Sequence, residues 1–309
     1  LIGTNLQIGT STLYAYFCDV ASDGTNFLTV WSDSGGNRMQ GRFLKTDGSM
    51  SAVNTPLNYD ISDPFITFEG GCYLILAVDN SDPYYIRFRR YRSDETAIDG
   101  GTSNLFTSTY PCWEPQAAYN PANNKFLVTW RDQETYQIMG RTLDAATAEM
   151  GNVITVLVIN AWTSSENSGV AYDGTDWVCL FRDTRGGPNS LYGARVDSSG
   201  VLLDTTPFLV LPGGSFGQLV APVAPCANTL ILGSKQVYDV QNRSYNTRKN
   251  MGLFWCPGAM QVPGQDMACG PVRFGPSGQA LFSFSQSAPA STGYVVEACS
   301  SLSAQDWQP

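Results

Sequence analysis

Six units of about fifty residues, built of short apolar strands parted by Asp-Gly or Asn-Pro turns and free of any amphipathic helical pattern, predict an all-β chain. The expected architecture is a six-bladed β-propeller of four-stranded antiparallel blades, one domain over residues 1–309. The period is read from the residue that closes the second strand of each unit. These residues are Asp33, Asp79, Asp132, Asp183, Lys235 and Gln286, so the steps are 46, 53, 51, 52 and 51. A sandwich needs no such period, and β-helix coils are much shorter.

Three copies are clearest: Ala21 to Asp33, Ala118 to Asp132 and Ala171 to Asp183. In each, a short apolar strand meets a turn, and a second strand ends in an aromatic residue, any residue, and Asp. A polar loop and a third strand with Gly41, Gly140 or Gly193 follow. Fainter copies fill the gaps at Phe65 to Asp79, Pro222 to Lys235 and Val272 to Gln286. Only eleven residues follow Tyr294 to Ala298, whereas Leu6-Gln7-Ile8 precedes Leu13 to Phe17 as a fourth strand precedes the next first strand. The N-terminal segment is therefore expected to supply the outer strand of the last blade and close the ring.

The consensus Ala-Tyr-Asp-Gly-Thr-x-Trp/Phe-Leu-Val-x-Trp-x-Asp with a downstream Tyr-Gly-x-Arg, best seen at Ala171 to Asp183 with Tyr192 to Arg195, resembles repeats of bacterial secreted and cell-surface propeller proteins. The resemblance implies fold and an extracellular location and transfers no catalytic residue. The sialidase box Ser-x-Asp-x-Gly-x-x-Trp is not matched, since Asp and Gly are adjacent here (Asp23-Gly24, Asp173-Gly174).

Composition narrows the chemistry. The chain has no His, which removes Ser-His-Asp and Cys-His catalysis and imidazole zinc sites. A net charge of −9 argues against nucleic acid as partner, and no apolar run is long enough for membrane insertion. The start at Leu1 suggests a mature chain after removal of a targeting peptide. Eight cysteines without a CxxC pair favour disulfides in an oxidising compartment, with Cys226–Cys256 as a bridge within the fifth blade.

The repeated Trp31/Asp33, Trp130/Asp132 and Phe181/Asp183 are expected to be scaffold, the ring packing between sheets and the carboxylate taking turn N–H groups or an arginine. Asp63, Glu114 and Glu166 stand where the innermost strands of blades two, three and four begin. Three acids at one channel mouth could take Ca²⁺, the one ion expected in a protein with no other cofactor, or act as an acid/base pair. Two basic stretches stand out: Arg87 to Arg92, and the long fifth-blade loop Val237 to Asn250. In that loop Tyr238, Arg243, Tyr245, Arg248 and Lys249 are candidate ligand contacts for a sugar and its acidic groups. The expected function is a secreted or cell-surface binding or assembly module for carbohydrate or another extracellular protein. A polysaccharide hydrolase or lyase is the alternative.

Overall fold

The computed structural model describes residues 7–9, 15–33, 38–52, 54–57, 61–157, 166–183, 190–211, 216–223, 229–239, 244–255, 267–269, 273–274, 280–286 and 295–297; the backbone alone is described at 15–17, 33, 55, 166–168, 183, 190–191 and from 209 onward. Every described element is a strand, and the strands form six sheets, one per sequence unit. The first sheet holds β1 (Ala15–Ser22), β2 (Asn26–Asp33), β3 (Arg38–Lys45) and β4 (Asn54–Leu57). The second holds β5 (Ile61–Glu69), β6 (Cys72–Asp79), β7 (Tyr84–Tyr91) and β8 (Ser103–Ser108). The third holds β9 (Cys112–Asn120), β10 (Lys125–Asp132), β11 (Ile138–Asp144) and β12 (Met150–Leu157). The fourth holds β13 (Glu166–Tyr172), β14 (Trp177–Asp183), β15 (Ser190–Val196) and β16 (Phe208–Leu211). In all four, strand order follows the chain and neighbours are antiparallel.

A three-stranded fifth sheet follows: β17 (Phe216–Val223), β18 (Thr229–Asp239) and β19 (Ser244–Trp255). These five sheets belong to one compact unit, Leu1–Trp255. A second unit, Cys256–Pro309, contains β20 (Met267–Cys269), β21 (Arg273–Phe274), β22 (Ala280–Gln286) and β23 (Val295–Glu297), all joined through β22.

Within the first unit, β1 neighbours β5, β5 neighbours β9, β9 neighbours β13 and β13 neighbours β17. First strands that adjoin one another, each backed by its own antiparallel sheet, are the arrangement of a β-propeller. Apolar cores fill the spaces between sheets. Trp130, fully buried in the third sheet, meets Phe106 of the second with ring centroids 4.8 Å apart. The third-strand glycines make room for the fourth strand, since a Cβ on Gly193 would stand 2.5 Å from the Phe208 ring and one on Gly41 2.8 Å from Pro56.

Two arginine devices repeat. Arg89 on β7 donates to the Pro56 carbonyl of β4 (3.0 Å), and Arg141 on β11 to the Leu105 carbonyl of β8 (2.6 Å). Arg42, at the same register on β3, donates to the Ile8 carbonyl (2.8 Å). Ile8 thus holds the place relative to the first sheet that an outer strand of the preceding sheet holds elsewhere, as expected of the N-terminal segment. Of the residues in its expected pairing with Tyr294 to Ala298, Leu6, Tyr294 and Ala298 lie outside the described residues. One register step away, Arg90 and Arg195 each clasp a carboxylate nine residues on, Asp99 (2.6 Å) and Asp204 (2.9 Å). The arginine that drifts by one place in the sequence repeat is therefore two residues with two tasks. The basic stretch Arg87 to Arg92 is correspondingly a set of internal struts at Arg87, Arg89 and Arg90.

Cysteine pairing departs from expectation. Cys18, Cys72, Cys112 and Cys179 are free thiols, the last three buried. They occupy apolar strand positions, such as Cys72 in Cys-Tyr-Leu-Ile-Leu and Cys179 between Val178 and Leu180, where a thiol packs as a small hydrophobe. Burial pushes the Cys72 thiol up to about 11 and Cys112 up to about 12. Cys226 and Cys256 lie outside the described residues.

Candidate functional site

Five first strands carry one shared irregularity. Two of their residues face a single residue of the second strand: Phe17-Cys18 against Trp31, Asp63-Pro64 against Ala77, Glu114-Pro115 against Trp130, Asn167-Ser168 against Phe181 and Gly217-Gln218 against Ser234. Each is a β-bulge near the end where the first strand starts, the leading end. Bulges re-aim side chains, and Pro64 and Pro115 suit them because a bulged residue need not donate to the ladder. Asp63 (φ 47°) and Glu114 (φ 56°) are left-handed, a conformation that costs an ordinary side chain about 1–3 kcal/mol.

Counted back from the pairs that follow the bulge (Phe65–Leu76, Gln116–Thr129, Gly169–Leu180 and Val220–Leu232), Asp63, Glu114, Asn167 and Gln218 hold the same place in four successive sheets, although the fifth bulge lies one residue earlier. Asp63 and Glu114 are two of the three acids that the sequence offers; the third, Glu166, pairs with Arg182 one residue before the equivalent place. Asn167 and Gln218 are not acids, and their signal in the sequence is a planar polar residue two places before the paired Gly169 or Val220.

The two carboxylates do not stand alone. The Glu114 N–H points to Asp63 Oδ2 at 3.5 Å, joining the second sheet to the third. Arg131, next to last on β10, lies near Asp63; Arg182, at the same register on β14, lies near Glu114 and Arg131. The Arg131 guanidinium sits 4.4 Å from the ring centre of half-buried Trp113, its cross-strand partner. Burial raises the Asp63 carboxyl above its ordinary range, opposed by the Glu114 N–H and the Arg131 charge. Burial also lowers Arg182, with the Arg131 charge acting the same way and Glu114 against it. Arg131 and Arg182 were invisible to the sequence reading, which treated the residue between aromatic and Asp as variable. Two consecutive repeats with Arg there (Trp-Arg-Asp, Phe-Arg-Asp) were the available signal.

Among the described residues no three His, Cys, Asp or Glu side chains gather as a metal site. The Asp that ends the second strand is scaffold where its side chain is described. Asp132 takes the Thr135 N–H (2.9 Å), and Asp79 takes the Ser81 N–H (3.0 Å) and Arg87. Elsewhere, a cavity of about 550 Å³ at the opposite end is lined by Gly70, Gly71, Arg92, Asp94 and Ala145. Asp94 is already engaged by the Thr96 N–H (3.0 Å) of its own turn.

The expected fifth-blade loop is a hairpin. Tyr238 pairs with Tyr245, Gln236 with Arg248 and Lys235 with Lys249 in a ladder with one irregularity between Val237 and Tyr238, and only 240–243, with Arg243, fall outside the described residues.

No protein-family model matches the sequence, and no curated protein matches it. Among solved structures, the chain is similar to a thermostable family-43 glycoside hydrolase (TM-score 0.46, 9% identity, covering 76% of this chain and 86% of that one). It is similar to the β-propeller domain of the Trilobed protease from Pyrococcus furiosus (0.46, 9%, 88% and 79%) and to an endo-arabinase from Bacteroides thetaiotaomicron (0.43, 11%, 77% and 92%). The propeller fold itself rests on this chain's strand order and on the adjacency of its first strands. Among the described residues no helix is long and apolar enough to cross a membrane.

Proposed function

We propose that the protein is a secreted or cell-surface binding module that recognises carbohydrate at the leading end of its first strands. The observation that carries this reading is the equivalence of Asp63, Glu114, Asn167 and Gln218 in four adjoining sheets, with Arg131, Arg182 and Trp113 beside the first two. Carboxylates and amides match pairs of sugar hydroxyls, guanidinium groups donate to ring and hydroxyl oxygens, and an indole offers a stacking face. The extracellular placement draws on the repeat consensus at Ala171 to Asp183.

Cleavage of polysaccharide by Asp63 and Glu114 is the second reading, favoured by the raised Asp63 carboxyl, which suits a general acid. Against it, the nearby Arg131 charge holds the carboxylate form. Ca²⁺ binding by the same acids belongs with these readings; Arg131 and Arg182 already supply the countercharge a cation would bring.

A glycan array with and without Ca²⁺, run beside an assay for released reducing ends, tests the proposal. Binding without cleavage is expected, lost in Arg131→Met and insensitive to Ca²⁺. Turnover would favour the enzyme, and an array blank alongside capture of an extracellular protein would replace carbohydrate by protein as ligand.

Asp63→Asn separates a site residue from a scaffold residue. Because the folded-state pKa is raised, ionised Asp63 costs stability, and this cost grows as pH rises from the ordinary carboxylate range through the raised value. Above it, the Asn variant should melt no lower than the parent, since Asn tolerates the left-handed backbone and keeps an acceptor for the Glu114 N–H. Glycan affinity should nonetheless fall about tenfold, the size of one charge-assisted hydrogen bond. A drop in melting temperature with unchanged binding would mark Asp63 as scaffold.

A further inference from the structure

We infer that the fifth sheet extends this site with a basic ribbon, and that the ligand is an acidic glycan; the inference rests on the carbohydrate-binding reading above. In the first four sheets the second strand stops at Asp33, Asp79, Asp132 and Asp183. Where the side chain is described, the carboxylate seizes turn N–H groups and so ends the ladder, as Asp79 does with Ser81 and Asp132 with Thr135. The equivalent residue of β18 is Lys235, paired with Phe216 as Asp79 pairs with Ile61 and Asp132 with Cys112. An ammonium cannot accept an N–H. Pairing runs on through Gln236–Arg248, Val237–Thr247, Tyr238–Tyr245 and Asp239–Ser244, past the first residue of β17. The result is a two-stranded ribbon that overhangs its sheet.

Topology fixes the side on which it overhangs. Leu211, the end of β16, pairs with Leu191, which pairs with Arg182, so β16 finishes at the leading end. Only four residues separate it from the start of β17, too short a link to reach the far end of the eight-residue strand. β18 therefore returns to the leading end, and the ribbon rises beside the ring of Asp63, Glu114, Asn167 and Gln218. The two candidate sites that the sequence offered as alternatives share one end of the first unit.

Charge chooses the ligand. The described residues of the ribbon, Lys235–Asp239 and Ser244–Asn250, hold three basic residues (Lys235, Arg248, Lys249) and one acid (Asp239), a local +2 in a chain of −9. Arg131 and Arg182 stand at the same end, where Asp63 and Glu114 match their charge, so the net positive charge there comes from the ribbon. A ligand carrying carboxylate or sulfate groups on a hydroxyl-rich backbone satisfies both the cationic ribbon and the acceptor-rich ring. An uncharged glycan would use only the ring.

The test uses the full chain and two probes, polygalacturonate and neutral xylan, titrated at low and moderate salt. The parent should bind polygalacturonate more tightly than xylan, with affinity falling as salt rises. Arg248→Ser/Lys249→Ser should weaken polygalacturonate about tenfold or more and leave xylan unchanged, with Tm unaltered; Arg248→Gln alone should give a smaller loss of the same kind if the double variant folds poorly. Equal polygalacturonate binding by parent and variants, or preference of the parent for xylan, would overturn the acidic-glycan inference while leaving carbohydrate binding intact. Equal affinity for single-stranded DNA of matched charge would also overturn it, as a generic polyanion patch. Failure to bind either polysaccharide would remove the reading beneath it as well.

Discussion

Replacing Asp79 by Ala is expected to cost about 3–5 kcal/mol of folding free energy, the range for stripping one partner from a buried ion pair. Asp79 is fully buried, and its Oδ2 accepts from Arg87 Nε (2.8 Å) and Nη2 (2.5 Å) while Oδ1 accepts from the Ser81 N–H (3.0 Å) and hydroxyl (2.6 Å). Arg87, whose side chain is 10% exposed, also reaches Asn104 on β8 and lies 4.0 Å from the Tyr85 ring centre. Without the carboxylate a buried guanidinium loses its countercharge and the turn after β6 loses its acceptor. Urea titration of Asp79→Ala, Arg87→Met and the double variant checks this. The double variant should be far less destabilised than the sum of the singles, and additive losses would mean that the pair is not energetically coupled.

Trp177→Ala should be comparably severe, about 3–5 kcal/mol, because it empties a large volume between two sheets and severs a bond across them. The Trp177 side chain is fully buried, its Nε1–H donates to the Ala118 carbonyl of β9 (3.0 Å), and its ring meets Tyr172 at 6.0 Å. Trp177→Phe should recover most of the packing and lose about 1 kcal/mol for the missing hydrogen bond. The same position in the second sheet is Tyr73, whose hydroxyl donates to the Asn26 carbonyl of the first sheet (3.1 Å) and accepts from the Asp23 N–H (3.2 Å). An aromatic with a polar tip at the start of strand two is thus a repeated latch between sheets. Denaturation of the two variants measures its parts; a Phe variant as weak as the Ala variant would shift the weight from packing to the hydrogen bond.

Much of this was legible because it repeats. The strand-ending Asp and its aromatic neighbour recur, and recurrence points to scaffold at Asp132 and Trp130; Asp79, with Ala77 in place of the aromatic, proves to be scaffold as well. Turn glycines such as Gly24 and Gly174 adopt the positive φ that Asp-Gly implies. What repeats in backbone but varies in side chain was harder. The shared bulge hides in the sequence because its residues are Phe17, Asp63, Glu114, Asn167 and Gln218, and a one-residue slip moved attention from Asn167 to Glu166. The fifth-sheet insertion reads as a loop until Lys235 is seen as the missing terminator. Counting cysteines suggested bridges, yet Cys72, Cys112 and Cys179 sit where an apolar strand wants a small buried side chain, and local hydrophobic context was the better guide.

The central claim is that the ligand sits at the leading end of the first strands. Hydrogen exchange of the intact chain with and without polygalacturonate oligomers tests it directly. Protection is expected over 61–65, 112–116, 131–137 and 236–248. Protection confined to the opposite turns at 22–26, 69–72, 144–149 and 172–176, with the leading end unchanged, would contradict it.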